Sequence, residues 1–156
     1  MAKPKKVSVV SNQVSDETLR CFLGYHMKRA FNVVKADLTL VLKPFELRML
    51  TYTALVLIKD NPGLSQTQLA HAMDIERPNL IVIVDELECR DLIVRERVPT
   101  DRRTYALKIT LAGQRLCEKA IAAVEAHEDH LFADLDSDTR ETLIDALSMV
   151  HERQKS

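Results

Sequence analysis

Between Leu92 and Thr110 the apolar residues of this chain stop recurring every third or fourth position and alternate with polar ones, while on both sides of that stretch the recurrence is helical. Leu92 to Val98 and Tyr105 to Thr110 are β-branched and charged in near alternation, the pattern of two short strands. Pro99-Thr100-Asp101-Arg102-Arg103 between them supplies turn residues. The expected fold is mainly α with one small β-hairpin, and the hairpin tip is basic.

Helical patterns surround the hairpin. Leu19, Leu23, His26, Ala30 and Val33 share one face of a long segment ending near Leu42. Lys43-Pro44 then opens a second helix with the stripe Leu47, Leu50, Ala54, Leu57 and Ile58, which Asn61-Pro62-Gly63 ends. At Ser65 a serine is followed three residues later by Gln68, a capping-box pattern, and a short helix runs to about Met73. Asp74 is placed to cap the next helix, whose Leu80, Ile83, Val84 and Leu87 form a core stripe, with Pro78 in its first turn. After the hairpin, Leu116, Ala120, Ala123, His127 and Leu131 mark one more long helix, and Leu143, Leu147 and Val150 mark a last one. Two short helices joined by a tight connection suggest a helix-turn-helix, and the hairpin that follows makes it a winged helix.

Composition bounds the class. The chain has 156 residues, 46% hydrophobic and 29% charged, about one globular domain, with no apolar run near the roughly 20 residues of a membrane span. The start, Met-Ala-Lys-Pro-Lys-Lys, precedes no apolar core of a secretory signal, so a cytoplasmic location is expected. Cys21, Cys89 and Cys117 are too scattered for a disulfide framework or a zinc module, and three glycines leave no phosphate loop. With no nucleophile elbow and no cofactor fingerprint, the chain is read as a non-enzyme without cofactor. His127 and His130 fall far short of a metal site, and none is expected.

The net charge of −1 hides a segregated distribution. Residues 1–48 sum to +5 and residues 118–156 to −6, whereas residues 94–108 carry Arg95, Arg97, Arg102, Arg103 and Lys108 against Glu96 and Asp101, a local +3. A helix sized for the major groove beside a cationic hairpin suits duplex DNA, where phosphate contacts dominate affinity. With Leu80 to Leu87 as the buried side, Pro78, Val82, Asp85 and Cys89 point away from it, with Arg77 and Asn79 on the flanks. Val82 suits a thymine methyl, Arg77 a guanine edge or a phosphate, and Asn79 an adenine edge. Asp85 is expected to pair with a nearby arginine such as Arg77 or Arg103. Ser65, Gln66 and Thr67 open the preceding helix, where free N–H groups suit a phosphate. Arg103 is the candidate for the minor groove, and Asp101 for ordering the wing.

Pro62-Gly63-Leu64-Ser65-Gln66, Leu69-Ala70, Val84-Asp85-Glu86-Leu87-Glu88, Asp101-Arg102-Arg103 and Leu111-Ala112-Gly113, in that order, resemble the MarR family of bacterial transcriptional regulators. Its wing pattern, Asp-x-Arg and then Leu-Thr-x-x-Gly, is met by Asp101, Arg103 and Ile109-Thr110-Leu111-Ala112-Gly113. Two positions depart: Ile81-Val82 stands where members often carry a polar pair, and Asp91 where they carry glycine, a mild change because Asp tolerates the left-handed conformation. The resemblance implies a homodimeric repressor, or less often an activator, on a pseudo-palindromic operator, controlled by a small molecule or by thiol oxidation. It divides the chain into a flexible polar tail (1–15) and one domain (16–153), with a winged helix at about 44–110 and dimerisation helices at about 16–42 and 111–153. The recognition helix falls at about 75–90 and the wing at about 94–108.

The control signal stays open at this stage. Tyr25, His26 and Arg29 on the first helix mark a possible pocket for an aromatic acid or its CoA thioester. Cys21, four residues before Tyr25, resembles the peroxide-sensing branch, in which a tyrosine hydroxyl activates the thiolate. A winged helix used for protein contact is the remaining alternative, and the basic wing argues against it.

Overall fold

The structure, a computed structural model, describes residues 14–98 and 101–153, with only the backbone described at residues 98 and 101–104. The expected tail therefore lies almost wholly outside the described residues, as do Pro99 and Thr100. Contacts divide the chain into two units, residues 1–35 and 36–156. The elements are α1 Leu23–Leu42, α2 Met49–Asp60, β1 Leu64–Ser65, α3 Gln66–Ala72, α4 Arg77–Cys89, β2 Ile93–Val98, β3 Asp101–Ile109, α5 Leu111–Leu131 and α6 Ser137–Glu152. None of these helices is long and apolar enough to cross a membrane.

In the first unit a 3-10 turn over Leu19–Cys21 precedes α1 and is separated from it by Phe22, whose backbone is extended. The expected single helical face from Leu19 onward is thus interrupted. In the second unit, helix formation after α1 is also delayed. Lys43–Phe45 is a 3-10 turn, Glu46 adopts the left-handed conformation at φ 54°, and α2 starts only at Met49. The delay rotates the buried face: Thr51, Ala54, Leu55 and Ile58 are buried, and Leu50, expected inside, is 46% exposed. Thr51 is satisfied by its own capping turn, its hydroxyl donating to the Arg48 carbonyl at 3.0 Å and accepting from the Arg48 N–H at 2.8 Å.

Helices α3 and α4 form the expected pair, with one change at their junction. Asp74 does not cap α4. It takes φ 50° and closes α3, its N–H reaching the His71 carbonyl, and Glu76 is the residue that precedes α4 without a side-chain cap. Leu80, Ile83, Val84 and Leu87 are buried as the stripe required, in a core shared with Leu42, Leu55, Ile58, Leu69, Ile93, Leu107 and Cys117. Asp91 takes φ 54°, as expected for an aspartate in the glycine position.

The hairpin proves to be a three-stranded antiparallel sheet in the order β1-β3-β2. Leu64 and Ser65 pair with Leu107 and Ala106, an addition too short to leave an alternating pattern in the sequence. Between β2 and β3 the register runs from Ile93 opposite Ile109 to Arg97 opposite Tyr105, then shifts between Arg97 and Val98.

Candidate nucleic-acid interface

The capping box at α3 forms as its spacing required. Ser65 Oγ accepts from the Gln68 N–H at 3.3 Å, while Gln68 Oε1 accepts from the Ser65 N–H at 3.0 Å and from Ser65 Oγ at 2.8 Å. Thr67 beside them is exposed and Gln66 half-buried. One connection later, Pro78 lies at the start of α4, where its fixed φ suits the first turn and its missing N–H costs nothing. Arg77, Pro78, Asn79, Ile81, Val82, Asp85 and Cys89 all reach solvent along one side of α4. Among the described residues Arg77 has no ion-pair partner.

The wing is tied to this helix by Arg95. Its position in β2 shares the inward face with Ile93, so its guanidinium reaches α4 and pairs with Asp85 through Nη2 and with Glu88 through Nη1 at 2.9 Å. Its side chain is 22% exposed. Asp85 pairs with an arginine as expected, the partner being Arg95 rather than Arg77, but the expectation for Arg95 changes: placed to face phosphates, it is turned to α4 and held by two carboxylates. Lys108 is likewise occupied, 2.6 Å from Glu96 on the outward face. The local +3 of the sequence therefore reduces, among described side chains, to the exposed Arg97. The side chains of Asp101, Arg102 and Arg103, at the opening of β3, lie outside the described residues.

The sensing candidates gather in the first unit. The Tyr25 hydroxyl donates to Asp16 Oδ2 at 2.7 Å, and Arg29 Nη1 donates to the same oxygen at 2.9 Å and to the Tyr25 hydroxyl at 3.1 Å. Arg20 Nε donates to Asp16 Oδ1 at 2.7 Å. This hydrogen bond first, and then that from Tyr25, hold the Asp16 carboxyl down to about 2. Arg29 also lies over the Tyr25 ring at 5.4 Å, and His26 Nε2 is 2.9 Å from the Arg20 carbonyl. Asp16 and Arg20 were missed by sequence reasoning, because the 3-10 turn that brings them to Tyr25 leaves no periodic signal.

Cys21 is a further correction. It belongs to the 3-10 turn before the helix rather than to the helical face of Tyr25, and its thiol faces the Glu17 carbonyl at 3.8 Å. The Tyr25 hydroxyl is already engaged by Asp16 and Arg29, so the spacing of four does not create a thiol–hydroxyl pair. Cys117 is fully buried, and burial raises its thiol to about 11. Among the described residues no group of three or more His, Cys, Asp or Glu side chains is arranged to hold a metal ion.

A buried helix pair, its second member exposed along one side and clamped to a three-stranded wing, is a winged helix-turn-helix of the kind found in transcription regulators. The MarR family sequence model matches residues 47–105. The transcriptional repressor CouR bound to a 23-mer DNA duplex superposes with a TM-score of 0.85 at 35% identity, covering 89% of this chain and 99% of that one. CouR from Rhodococcus jostii RHA1 bound to p-coumaroyl-CoA gives 0.78 at 30%, covering 85% and 93%. A protein of Thauera aromatica, named for transcriptional regulation of the hcr operon, is 41% identical over 105 residues. That match spans 67% of this chain and 63% of its relative's length. The chain belongs to the MarR family of transcriptional regulators.

Proposed function

We propose that this chain is a homodimeric repressor that binds a pseudo-palindromic DNA operator and is released by the CoA thioester of an aromatic acid. The observation that carries the reading is the likeness to CouR bound to DNA, which spans 89% of this chain and 99% of that one. Arg77, Pro78, Asn79 and Val82 on α4 face the major groove in this reading. Arg97, Arg102 and Arg103 carry the wing, with Asp101 ordering it, and Ser65, Gln66 and Thr67 meet the backbone phosphate at α3. Arg95 acts through α4 instead, as the tie described above.

The effector reading is supported by the p-coumaroyl-CoA bound to a CouR 30% identical to this chain. In this chain Arg20 and Arg29 share the single carboxylate of Asp16, leaving a net positive, exposed group beside Tyr25 and His26. Such a group suits the phosphates or the phenolate of an aromatic acyl-CoA. The peroxide alternative gains no support from Cys21, whose expected partner is elsewhere.

Fluorescence anisotropy with duplexes from the DNA flanking the gene tests both parts. Binding should weaken linearly in log–log salt, and p-coumaroyl-CoA should release the protein while free CoA does not. Arg29→Ala should leave DNA affinity in place and raise the thioester concentration needed for release at least tenfold. Salt-independent binding, or release unaffected by Arg29→Ala, would overturn the corresponding part.

A further inference from the structure

Helix α4 buries a complete core stripe in Leu80, Ile83, Val84 and Leu87, and it does so without Ile81 or Val82, which are 41% and 62% exposed. β-branched side chains are weaker helix formers than Arg, Gln, Glu or Lys, so helix stability does not favour two of them at exposed positions. They lie one turn after Pro78 and one turn before Asp85, in the i, i+3, i+4, i+7 row that faces away from the core. The turn that follows adds no unpaired carboxylate, since Arg95 holds both Asp85 and Glu88. The turn before offers Arg77 and Asn79, both exposed. The face therefore has a hydrogen-bonding first turn, an aliphatic middle and an end where two carboxylates share one arginine.

Neither isoleucine nor valine can donate or accept a hydrogen bond through its side chain, so the middle turn cannot distinguish base edges polar group by polar group. In unmodified DNA the major-groove feature that rewards aliphatic contact is the C5-methyl of thymine. Resting on the DNA-binding reading above, we infer that Ile81 and Val82 read thymine methyl groups, so that each operator half-site carries A·T pairs at the adjacent positions beneath the middle of α4.

Selection of the full chain on a random duplex library, followed by competition with duplexes carrying deoxyuridine in place of single thymines, tests this directly. Deoxyuridine removes the methyl and keeps every hydrogen-bonding group. The enriched half-sites should hold A·T pairs at two neighbouring central positions. Each deoxyuridine there should weaken binding about fourfold, the effect of one buried methyl-sized group. Val82→Ala should bind thymine and deoxyuridine duplexes alike at its position. G·C pairs at those positions, or unchanged affinity with deoxyuridine at every thymine, would overturn the inference while leaving DNA binding intact. A library from which no duplex is enriched would overturn the DNA-binding reading, and this inference with it.

Discussion

A Cβ added to Gly113 would stand 2.0 Å from the Leu92 carbonyl oxygen and 2.8 Å from its carbon, both backbone atoms that no rotamer change can move aside. The approach is tight because Thr110 draws the start of α5 onto the end of α4. Its N–H donates to the Leu92 carbonyl at 3.0 Å, its hydroxyl donates to the Asp91 carbonyl at 2.6 Å, and the same oxygen accepts from the Gly113 N–H at 2.9 Å. One threonine thus caps α5 and fixes where the chain enters the wing. Gly113→Ala should destabilise the fold by about 3 kcal/mol, read as a lowered midpoint in urea unfolding with an unchanged slope. A midpoint equal to that of the parent would contradict the close approach. The Thr-x-x-Gly pair was legible in the sequence as a motif, but its reason was not. The contact lies between residues 21 positions apart, and neither hydropathy nor propensity encodes a carbonyl at 2 Å.

At the scale of elements, the patterns that could be read were those repeated over several turns. The stripe of α4 and the strand β2 appear where expected, each held by buried side chains, whereas β3 opens at Asp101, four residues before its alternation begins and within the Asp101-Arg102-Arg103 stretch expected as a turn. What escaped were single-residue events: the left-handed Glu46 that shifts the phase of α2, the two-residue β1, and the direction in which Arg95 points. An arginine in an alternating strand reads as outward-facing, yet Arg95 shares the inward face with Ile93 and reaches across it to α4. Its pairing with Asp85 and Glu88 ties β2 to α4, so under the proposed DNA-binding function its loss should weaken operator binding in a specific way. Arg95→Ala should reduce affinity about tenfold, because it loosens the wing and exposes two carboxylates to DNA phosphates. Adding Asp85→Ala should recover part of that loss, a coupling that a double-mutant cycle measures directly. Strict additivity of the two substitutions would show that they act apart. Arg97→Ala, by contrast, should flatten the salt dependence by nearly one unit of slope, the signature of one phosphate contact removed.

For the molecule as a whole, helix α6 poses an unsatisfied requirement. It runs over 16 residues with none of them buried, although Leu143, Ile144, Leu147 and Val150 recur at helical spacing. A helix with an apolar stripe draws its stability from burying that stripe, and an isolated helix of about this length is marginal in water. The segregation of charge along the chain, +5 over residues 1–48 and −6 over residues 118–156, adds a second incentive for association between copies. Exposed charge pairs contribute at most about 1 kcal/mol each, so the apolar stripe must supply most of the affinity. The chain of 17.7 kDa should therefore sediment as a dimer at micromolar concentration. Leu147→Asp, which places a charge in the centre of the stripe, should shift it to monomer while leaving the winged helix folded by circular dichroism. The monomer should then lose far more operator affinity than any single groove contact provides. Two half-sites held in one dimer bind with an effective concentration that a lone half-site lacks, and avidity gains of this kind reach about a hundredfold or more. A Leu147→Asp protein that still sediments as a dimer would place the association elsewhere. One that is monomeric yet binds the operator undiminished would show that the two-fold symmetry of the protein does not contribute to recognition.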